Sequence, residues 1–224
     1  MLIAYAATRN IYYKMIPAMR SLLEFNDAEI VVLAEDDTLP FDIPCRVINV
    51  DGRSPFNETN SRTPFSYMSL MRLLLPDLIP EDKVLYLDVD TIVQDDLSKL
   101  WGLPMGDRWW AAVEESYGRW KPFGRYYFNA GVSLFNLDQL RKDNIVPRLI
   151  DDLNVCTYPY PDQDVLNKYA VPNKVLPLAT RFNECFATGY TGNPAVIHYA
   201  GFQDWYENKF LFRHEVLEKY IPPC

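Results

Sequence analysis

The sequence has few of the residues that bind transition metals through sulfur or imidazole. It contains only two histidines and four cysteines in 224 residues. No two cysteines form a Cys-x-x-Cys pair, so neither a structural zinc site nor a thioredoxin-like redox motif is predicted. The cysteines are therefore expected to be reduced and structural; they are Cys45, Cys156, Cys185 and Cys224.

Long apolar runs and an excess of positive charge are also missing. Although 49% of the residues are hydrophobic, no run of about eighteen apolar residues occurs, so no transmembrane helix is predicted. Residues 1–7 are too short for a signal peptide and are predicted to form a strand, so we expect a cytoplasmic protein. The net charge of −8 disfavours nucleic acid or an anionic membrane as the main partner, and leaves only a peripheral membrane contact open.

Apolar segments alternate with amphipathic ones along the chain. This alternation predicts an α/β fold, a mixed and mostly parallel sheet flanked by helices, and the length allows a single domain over residues 1–224. Two loops, a polar one at 51–64 and an aromatic, basic one at 116–126, separate these elements. The predicted strands cover residues 2–7, 29–34, 46–50, 84–87, 109–114 and 131–137, and the predicted helices cover residues 11–25, 65–75, 138–153 and 161–169.

The most informative segment is the apolar run from Val84 to Leu87, which is followed by Asp88 and Asp90. Four consecutive apolar residues predict a strand covered on both faces, and ligands of open α/β sheets bind beyond the carboxyl ends of such strands. A carboxylate pair at that place is typical of a site for a hard divalent cation that holds phosphate oxygens. The alternative is an Asx-type turn whose carboxylates are solvated or cap the next helix.

Two other protein classes share this local pattern. An EF-hand loop needs glycine at its sixth position, where Val93 stands, so that class is excluded. A haloacid-dehalogenase-like phosphatase also has an apolar strand followed by two acids spaced Asp-x-Asp and a nearby Thr, with Asp88 as the nucleophile, Asp90 as the acid/base and Thr91 as the threonine. That class usually carries the motif on its first strand and a second acidic motif downstream, yet it remains the main alternative.

Further motifs in the same order resemble family 8 of the retaining glycosyltransferases, the family of glycogenin and the bacterial lipooligosaccharide galactosyltransferases. Residues 126–137 are similar to its Phe-Asn-Ala-Gly-Val strand, residues 161–167 to its Asp-Gln-Asp helix and residues 197–201 to its His-x-x-Gly element. Arg72 and residues 181–183 match as well, so the resemblance covers nearly the whole chain. It implies the GT-A fold, with a nucleotide-sugar site across the carboxyl ends of the strands.

The resemblance implies a divalent metal ion held by Asp88, Asp90 and His198. Mixed oxygen and imidazole ligands suit Mn²⁺ and permit Mg²⁺. The ion would offset the negative charge that develops on the diphosphate of a UDP-sugar donor as the glycosidic bond breaks.

The resemblance also implies roles around the donor sugar. Gln163 matches the residue placed near the anomeric carbon, and Asp162 matches the one that hydrogen-bonds sugar hydroxyls. Because an amide is a poor nucleophile, Gln163 fits stabilisation of an oxocarbenium-like state, whereas Asp164 is the nearest carboxylate for a covalent intermediate. As an acid in the first turn of a helix, Asp164 is equally explained by the helix dipole. The other donor-binding residues that the family implies are Ala6, Thr8, Asn10, Arg72, Val89, Asn129, Ala130 and Gly201.

Two departures from the family pattern concern donor binding. Thr8 stands where the family often has Asp, and Asp204 stands where it has a diphosphate-binding Lys. The candidates for the missing positive charge are Lys209, Arg62 and Lys121. An aromatic acceptor surface is a further hypothesis, with core or lid packing as its alternative; its members are Tyr117, Trp120, Phe123, Tyr126 and Tyr127.

The sequence therefore predicts a metal-dependent, retaining hexosyltransferase that transfers glucose or galactose from a UDP-sugar to a glycan or glycolipid acceptor. One alternative is the phosphatase with Asp88 as its nucleophile. The other is a non-catalytic nucleotide-sugar-binding module, which the reversed charge at Asp204 suggests.

Overall fold

The computed structural model describes residues 1–60, 67–116, 126–202 and 204–222, in which nine strands and seven α-helices are found. The strands are β1 (Leu2–Ala6), β2 (Glu29–Ala34), β3 (Arg46–Asn49), β4 (Lys83–Leu87), β5 (Thr91–Val93), β6 (Trp110–Val113), β7 (Val132–Asn136), β8 (Val175–Leu178) and β9 (Val196–His198). The helices are α1 (Tyr12–Phe25), α2 (Leu75–Leu78), α3 (Ser98–Trp101), α4 (Leu137–Lys142), α5 (Val146–Val155), α6 (Pro161–Ala170) and α7 (His214–Glu218).

Seven strands form one mixed sheet in the order β3-β2-β1-β4-β7-β6-β8. The first four run parallel to one another, β7 is antiparallel to both β4 and β6, and β8 is parallel to β6. The prediction of a mixed, mostly parallel sheet flanked by helices is confirmed. Because β1, β4 and β6 point the same way, their carboxyl ends lie at one edge of the sheet.

The central strands are buried on both faces, which is why their sequences are continuously apolar. Along β1, Ile3 and Tyr5 belong to the apolar cluster that includes the inward side of α1. Leu2 and Ala4 belong to the opposite cluster, to which α4, α5 and α6 contribute. The sheet thus separates two apolar cores.

The short strands β5 and β9 form a separate antiparallel pair, in which Thr91 lies opposite His198. This pair was not predicted, because three-residue strands are too short to show a period of apolar residues. A third apolar cluster covers it, formed by Ile92, Ile197, Tyr199, Trp205, Leu217 and Tyr220.

Two predicted helices differ in form from the prediction. The helix predicted over 65–75 is a 3-10 helix at Tyr67–Leu74 followed by α2. A continuous α-helix cannot run through Pro76, which has no N–H to bond to a carbonyl one turn earlier. The helix predicted over 138–153 is divided into α4 and α5. Asn144 has a φ of 48° at the division, and Pro147 lacks the N–H that a continuous helix would use.

The remaining predicted strands and helices agree with the structure to within a few residues. Residues 61–66, at the end of the polar loop, and residues 117–125, in the aromatic loop, lie outside the described residues. In the described part of the chain, the longest helix has 14 residues, and no helix is long and apolar enough to cross a membrane.

Candidate active site

A cleft of about 680 Å³ opens at the edge of the sheet where β1, β4 and β6 end. Most of the residues that the sequence predicted for the site line this cleft. Three of them, Thr8, Asn10 and Asp164, are not among its described lining residues. Those that line it are Ala6, Arg72, Asp88, Val89, Asp90, Asn129, Ala130, Asp162, Gln163, His198 and Gly201.

Asp88, Asp90 and His198 form a cluster in this cleft. One ligand atom of each residue lies within 4.8 Å of the others, and His198 Nε2 is 3.2 Å from Asp90 Oδ1 and 3.8 Å from Asp88 Oδ2. The turn from β4 into β5 carries the two acids, and the pairing of β5 with β9 brings the histidine to them. Burial would lower the pKa of His198, but the charge of Asp90 outweighs burial and raises this pKa well above its usual value. Two carboxylates and an imidazole form a suitable ligand set for Mn²⁺ or Mg²⁺.

Because Gly131 has no side chain, the ring of His198 can lie directly against its backbone. The Gly131 carbonyl accepts a hydrogen bond from the Asp88 N–H at 2.8 Å, which holds the start of β7 against the end of β4. A Cβ atom on Gly131 would lie 2.1 Å from His198 Cε1 and 2.7 Å from Asp88 Oδ2. The cluster in its present form therefore requires glycine at this position.

Arg72 is a buried link between two acids of the cleft. Its Nη2 donates to Asp88 Oδ1 at 2.7 Å, and its Nε lies 3.0 Å from Asp162 Oδ2. Its Nη1 donates to the Ala130 carbonyl at 2.8 Å, and its guanidinium lies 4.4 Å from the centre of the Tyr86 ring. Burial would lower the pKa of Arg72, but the two acids raise it, so this residue stays charged. Its three nitrogens all contact protein groups, and it joins the metal-ligand cluster to the start of α6.

Gln163 is held on both sides of its amide. Its Oε1 accepts from the Ala130 N–H at 2.9 Å, and its Nε2 donates to Glu115 Oε1 at 3.0 Å. Asn129 Nδ2 donates to the same Glu115 oxygen at 3.1 Å. Burial raises the pKa of Glu115, while the two amide donors partly offset that shift.

Glu115 was missed by the sequence analysis, although it lines the cleft. The signal that identified Asp88 was available for it, because Glu115 also follows a buried strand, β6, at the same edge of the sheet. The acid was overlooked because it stands directly before the aromatic loop and belongs to no recognised motif.

Asp164 turns away from the cleft although it follows Gln163 directly. Its Oδ1 accepts from the Tyr127 hydroxyl at 2.6 Å, and its Oδ2 accepts from the Tyr160 N–H at 2.9 Å. The residue is 3% exposed. These contacts match the alternative of a carboxylate that stabilises the start of α6, and they give no support to a covalent role.

The segment after β1 lies at the outer side of the cleft. Ala6 and Ile11 line the cleft, whereas Thr8 is half-buried and Asn10 is exposed, and the Thr8 hydroxyl donates to Asn10 Oδ1 at 2.6 Å. Arg9 forms an exposed ion pair with Asp36 at 2.8 Å. The base and ribose contacts predicted for Thr8 and Asn10 therefore remain predictions.

Acids outnumber bases along the cleft. Its described lining includes the carboxylates Asp88, Asp90, Glu115 and Asp162, and Arg72 is the one Lys or Arg among the lining residues that the structure describes. Because Arg72 is already paired with two of these acids, a diphosphate would meet mostly negative charge there. A bound divalent cation would reverse that repulsion.

The structure gives no replacement for the family's lysine among the described residues. Asp204 is exposed and accepts a hydrogen bond from Asn208 Nδ2 at 2.9 Å. Lys209 is not among the described lining residues, and Arg62 and Lys121 lie outside the described residues.

The predicted aromatic surface is described only in part. Tyr117, Trp120 and Phe123 lie outside the described residues. Tyr127 lines the cleft but is buried and donates to Asp164, and Tyr126 is exposed but is not among the described lining residues. Two aromatic residues that the sequence analysis did not select line the cleft and remain exposed: Tyr160 at 45% and Phe186 at 57%.

The chain matches the family model described as Glycosyl transferase family 8 over residues 23–208. It is 30% identical over 141 residues to General stress protein A of Bacillus subtilis (strain 168), which covers 59% of this chain and 48% of that protein. It is 36% identical over 109 residues to Glycosyltransferase GlyE of Streptococcus pneumoniae serotype 4, covering 49% of this chain and 25% of that protein. The matched segments thus cover half or less of these relatives.

A solved structure matches over a greater length. The structure of the galactosyltransferase LgtC in complex with donor and acceptor sugar analogs superposes with a TM-score of 0.75 and 25% identity. The match covers 99% of this chain and 95% of that chain, so it includes the sheet, the cleft and the C-terminal segment.

Proposed function

The chain belongs to glycosyl transferase family 8 and has the GT-A fold, and from that membership we propose that it is a metal-dependent, retaining hexosyltransferase. The proposed donor is UDP-glucose or UDP-galactose, and the proposed acceptor is a hydroxyl group of a glycan or glycolipid. A single domain over residues 1–224 is part of the same proposal, supported by one sheet that receives strands from both halves of the chain.

The observation that carries the proposal is the position of the Asp88, Asp90 and His198 cluster. It lies in the cleft at the carboxyl ends of the strands, where nucleotides bind to open α/β sheets. An ion bound by these three residues would offset the negative charge that develops on the leaving nucleoside diphosphate. Because the cleft is lined mainly by acids, we expect the negatively charged donor to bind only together with the metal ion.

The protein groups around the cluster support a retaining transfer. Arg72 holds Asp88 and Asp162 in fixed positions, so the metal-binding and sugar-binding acids keep a constant separation. Gln163 is fixed by Ala130 and Glu115, and its amide oxygen is suited to stabilise positive charge at an anomeric carbon. Because Asp164 does not line the described cleft, we propose front-side attack, in which the leaving phosphate takes the acceptor proton.

Two features support a saccharide acceptor. The related galactosyltransferase LgtC has been solved with donor and acceptor sugar analogs. In the present chain, the exposed rings of Tyr160 and Phe186 line the cleft, and aromatic rings pack well against the apolar face of a sugar.

The test is to incubate the protein with UDP-glucose or UDP-galactose, Mn²⁺ and a panel of saccharide and glycolipid acceptors. Release of UDP that depends on acceptor and metal, with a product that keeps the donor's anomeric configuration by NMR, is expected. An inverted product would contradict the retaining assignment. Metal-dependent UDP-sugar binding without turnover on any acceptor would favour the binding-module alternative.

The phosphatase alternative belongs to a different family, so membership in family 8 removes its main support. The phosphatase hypothesis predicts that the wild-type protein hydrolyses p-nitrophenyl phosphate and that the Asp88→Asn variant does not. We expect no such hydrolysis in the wild-type protein.

A further inference from the structure

The polar side chains behind the metal-ligand cluster form a connected series of hydrogen bonds. His198 Nδ1 lies 2.9 Å from Asn183 Oδ1, and Asn183 Nδ2 donates to Asn129 Oδ1 at 2.8 Å. Asn129 Nδ2 donates in turn to Glu115 Oε1 at 3.1 Å. Three of these four residues are nearly fully buried, because His198, Asn183 and Asn129 are 3%, 0% and 6% exposed.

The donor and acceptor of every hydrogen bond in this series follow from two groups that contact Asn129. The Gly131 N–H can only donate, and it lies 3.0 Å from the Asn129 side chain, so the atom that it meets must be the amide oxygen. The Asn129 NH₂ group then points to Glu115 Oε1, which also accepts a hydrogen bond from Gln163 Nε2 and so acts as an acceptor. The contacts with Gly131 and with Glu115 therefore require the same orientation of the Asn129 amide.

This orientation determines the next two groups. Because Asn129 presents an oxygen, Asn183 must donate its NH₂ group to it, which leaves Asn183 Oδ1 facing the histidine. An amide oxygen can only accept, so His198 Nδ1 must carry a hydrogen. In the neutral ring, Nε2 then has a free lone pair, and Nε2 is the atom 3.2 Å from Asp90.

We propose that Asn183 is a positioning residue for the metal site, which acts through a one-directional hydrogen-bond series anchored by Gly131 and Glu115. It keeps the His198 proton on Nδ1 and directs the Nε2 lone pair towards Asp88 and Asp90. The proposal rests on the proposed role of these three residues as metal ligands. Second-sphere groups of this kind set the tautomer of metal-binding histidines.

The first test reads the tautomer directly by ¹⁵N NMR of the imidazole rings in the metal-free protein. Because Asp90 raises the pKa of His198 well above its usual value, the pH is raised until the ring has lost its second proton. The chain has only two histidines, so a His214→Gln variant assigns the remaining signals to His198. We expect a protonated Nδ1 and an unprotonated Nε2. A proton on Nε2 overturns the proposal, whether or not the protein proves to be a transferase.

The second test measures Mn²⁺ affinity by calorimetry in three variants. Asn183→Leu removes the acceptor and should lower the affinity by about 10–100-fold, as outer-sphere changes typically do. Asn183→Asp keeps an acceptor for Nδ1–H and should retain more affinity than Asn183→Leu. Asn173→Leu, at an exposed asparagine outside the described cleft lining, is the matched control and should have no effect.

The variants also distinguish positioning from a general loss of structure. If Asn183→Leu is folded and binds Mn²⁺ as the wild type does, the positioning role is wrong. If Asn183→Asp and Asn183→Leu lose the same affinity, the acceptor oxygen is not what matters and the proposal is again overturned.

Discussion

The inner end of the cleft and its outer segment are built in opposite ways. The inner end, formed by Asp88, Asp90, Arg72, Gln163 and His198, contains side chains that bond mostly to one another or to buried backbone groups. The outer segment, residues 7–11 with Glu35 and Asp36, contains mostly half-buried or exposed side chains, such as the ion pair of Arg9 with Asp36.

This difference indicates that the inner end provides a rigid site for the reaction, whereas the outer segment can change its contacts when it binds the donor. In a buried site each polar contact is strong, and a missing partner is costly, so the geometry is narrowly defined. Exposed pairs contribute little and rearrange easily. We therefore expect substitutions at the inner end to affect metal binding and turnover sharply, and those in the outer segment to affect donor binding mildly.

The largest effect should come from Asp90→Asn. Replacing a charged ligand by a neutral amide should lower Mn²⁺-dependent UDP affinity by more than the roughly 10–100-fold typical of outer-sphere changes. Calorimetry with UDP, with and without Mn²⁺, measures the effect. Asp36→Asn, a matched acid of the outer segment, is the control; equal losses in the two variants would abolish the contrast between the two regions.

The next largest effect is expected for Gln163→Ala. Because the amide is proposed to act mainly in the transition state, kcat should fall by roughly 100-fold while donor affinity stays nearly constant. Steady-state kinetics with varied UDP-sugar separates the two quantities.

The neighbouring residue is the control for that variant. Asp164→Asn should lower the free energy of unfolding by about 1 kcal/mol, through weakened contacts with Tyr127 and Tyr160, and leave kcat close to the wild-type value. If Asp164→Asn instead proved the more inactive of the two, a covalent intermediate on Asp164 would return as the better mechanism, and mass spectrometry could trap it.

A smaller but specific effect is expected for Gly131→Ala. The added Cβ would overlap the ring of His198, so the ring must move, and Mn²⁺ affinity should fall by about 10-fold or more. Gly192→Ala is the matched control, because a Cβ there meets no atom within 4 Å. Unchanged metal affinity in Gly131→Ala would show that the inner end is more adaptable than its contacts indicate.

The smallest effect should come from Arg9→Ala in the outer segment. Its partner is exposed, and exposed ion pairs often contribute nothing measurable to stability, so the melting temperature should not change. Any effect should be confined to the KM of the donor. A loss of kcat comparable to that of Gln163→Ala would mean that the outer segment takes part in the chemistry.

Parts of the site with a strong local signal were predictable from the sequence. The apolar run of β4 identified a buried strand, and two acids directly after it indicated ligand binding at its carboxyl end. The same reasoning applied to β6 would have found Glu115. Gln163 and Asp164 are adjacent in sequence, yet only their contacts in the fold separate a residue that lines the cleft from one that does not.

The sequence by itself determined the alternation of strands and helices, the metal-ligand candidates and the family resemblance, because each depends on local patterns or on motif order. The tertiary structure decided which groups meet. The register that places Thr91 opposite His198, the pairing of Arg72 with two acids and the series from Glu115 to His198 join residues far apart in the chain. Such contacts depend on how strands pair and cores pack around them, and no local pattern of residues encodes them.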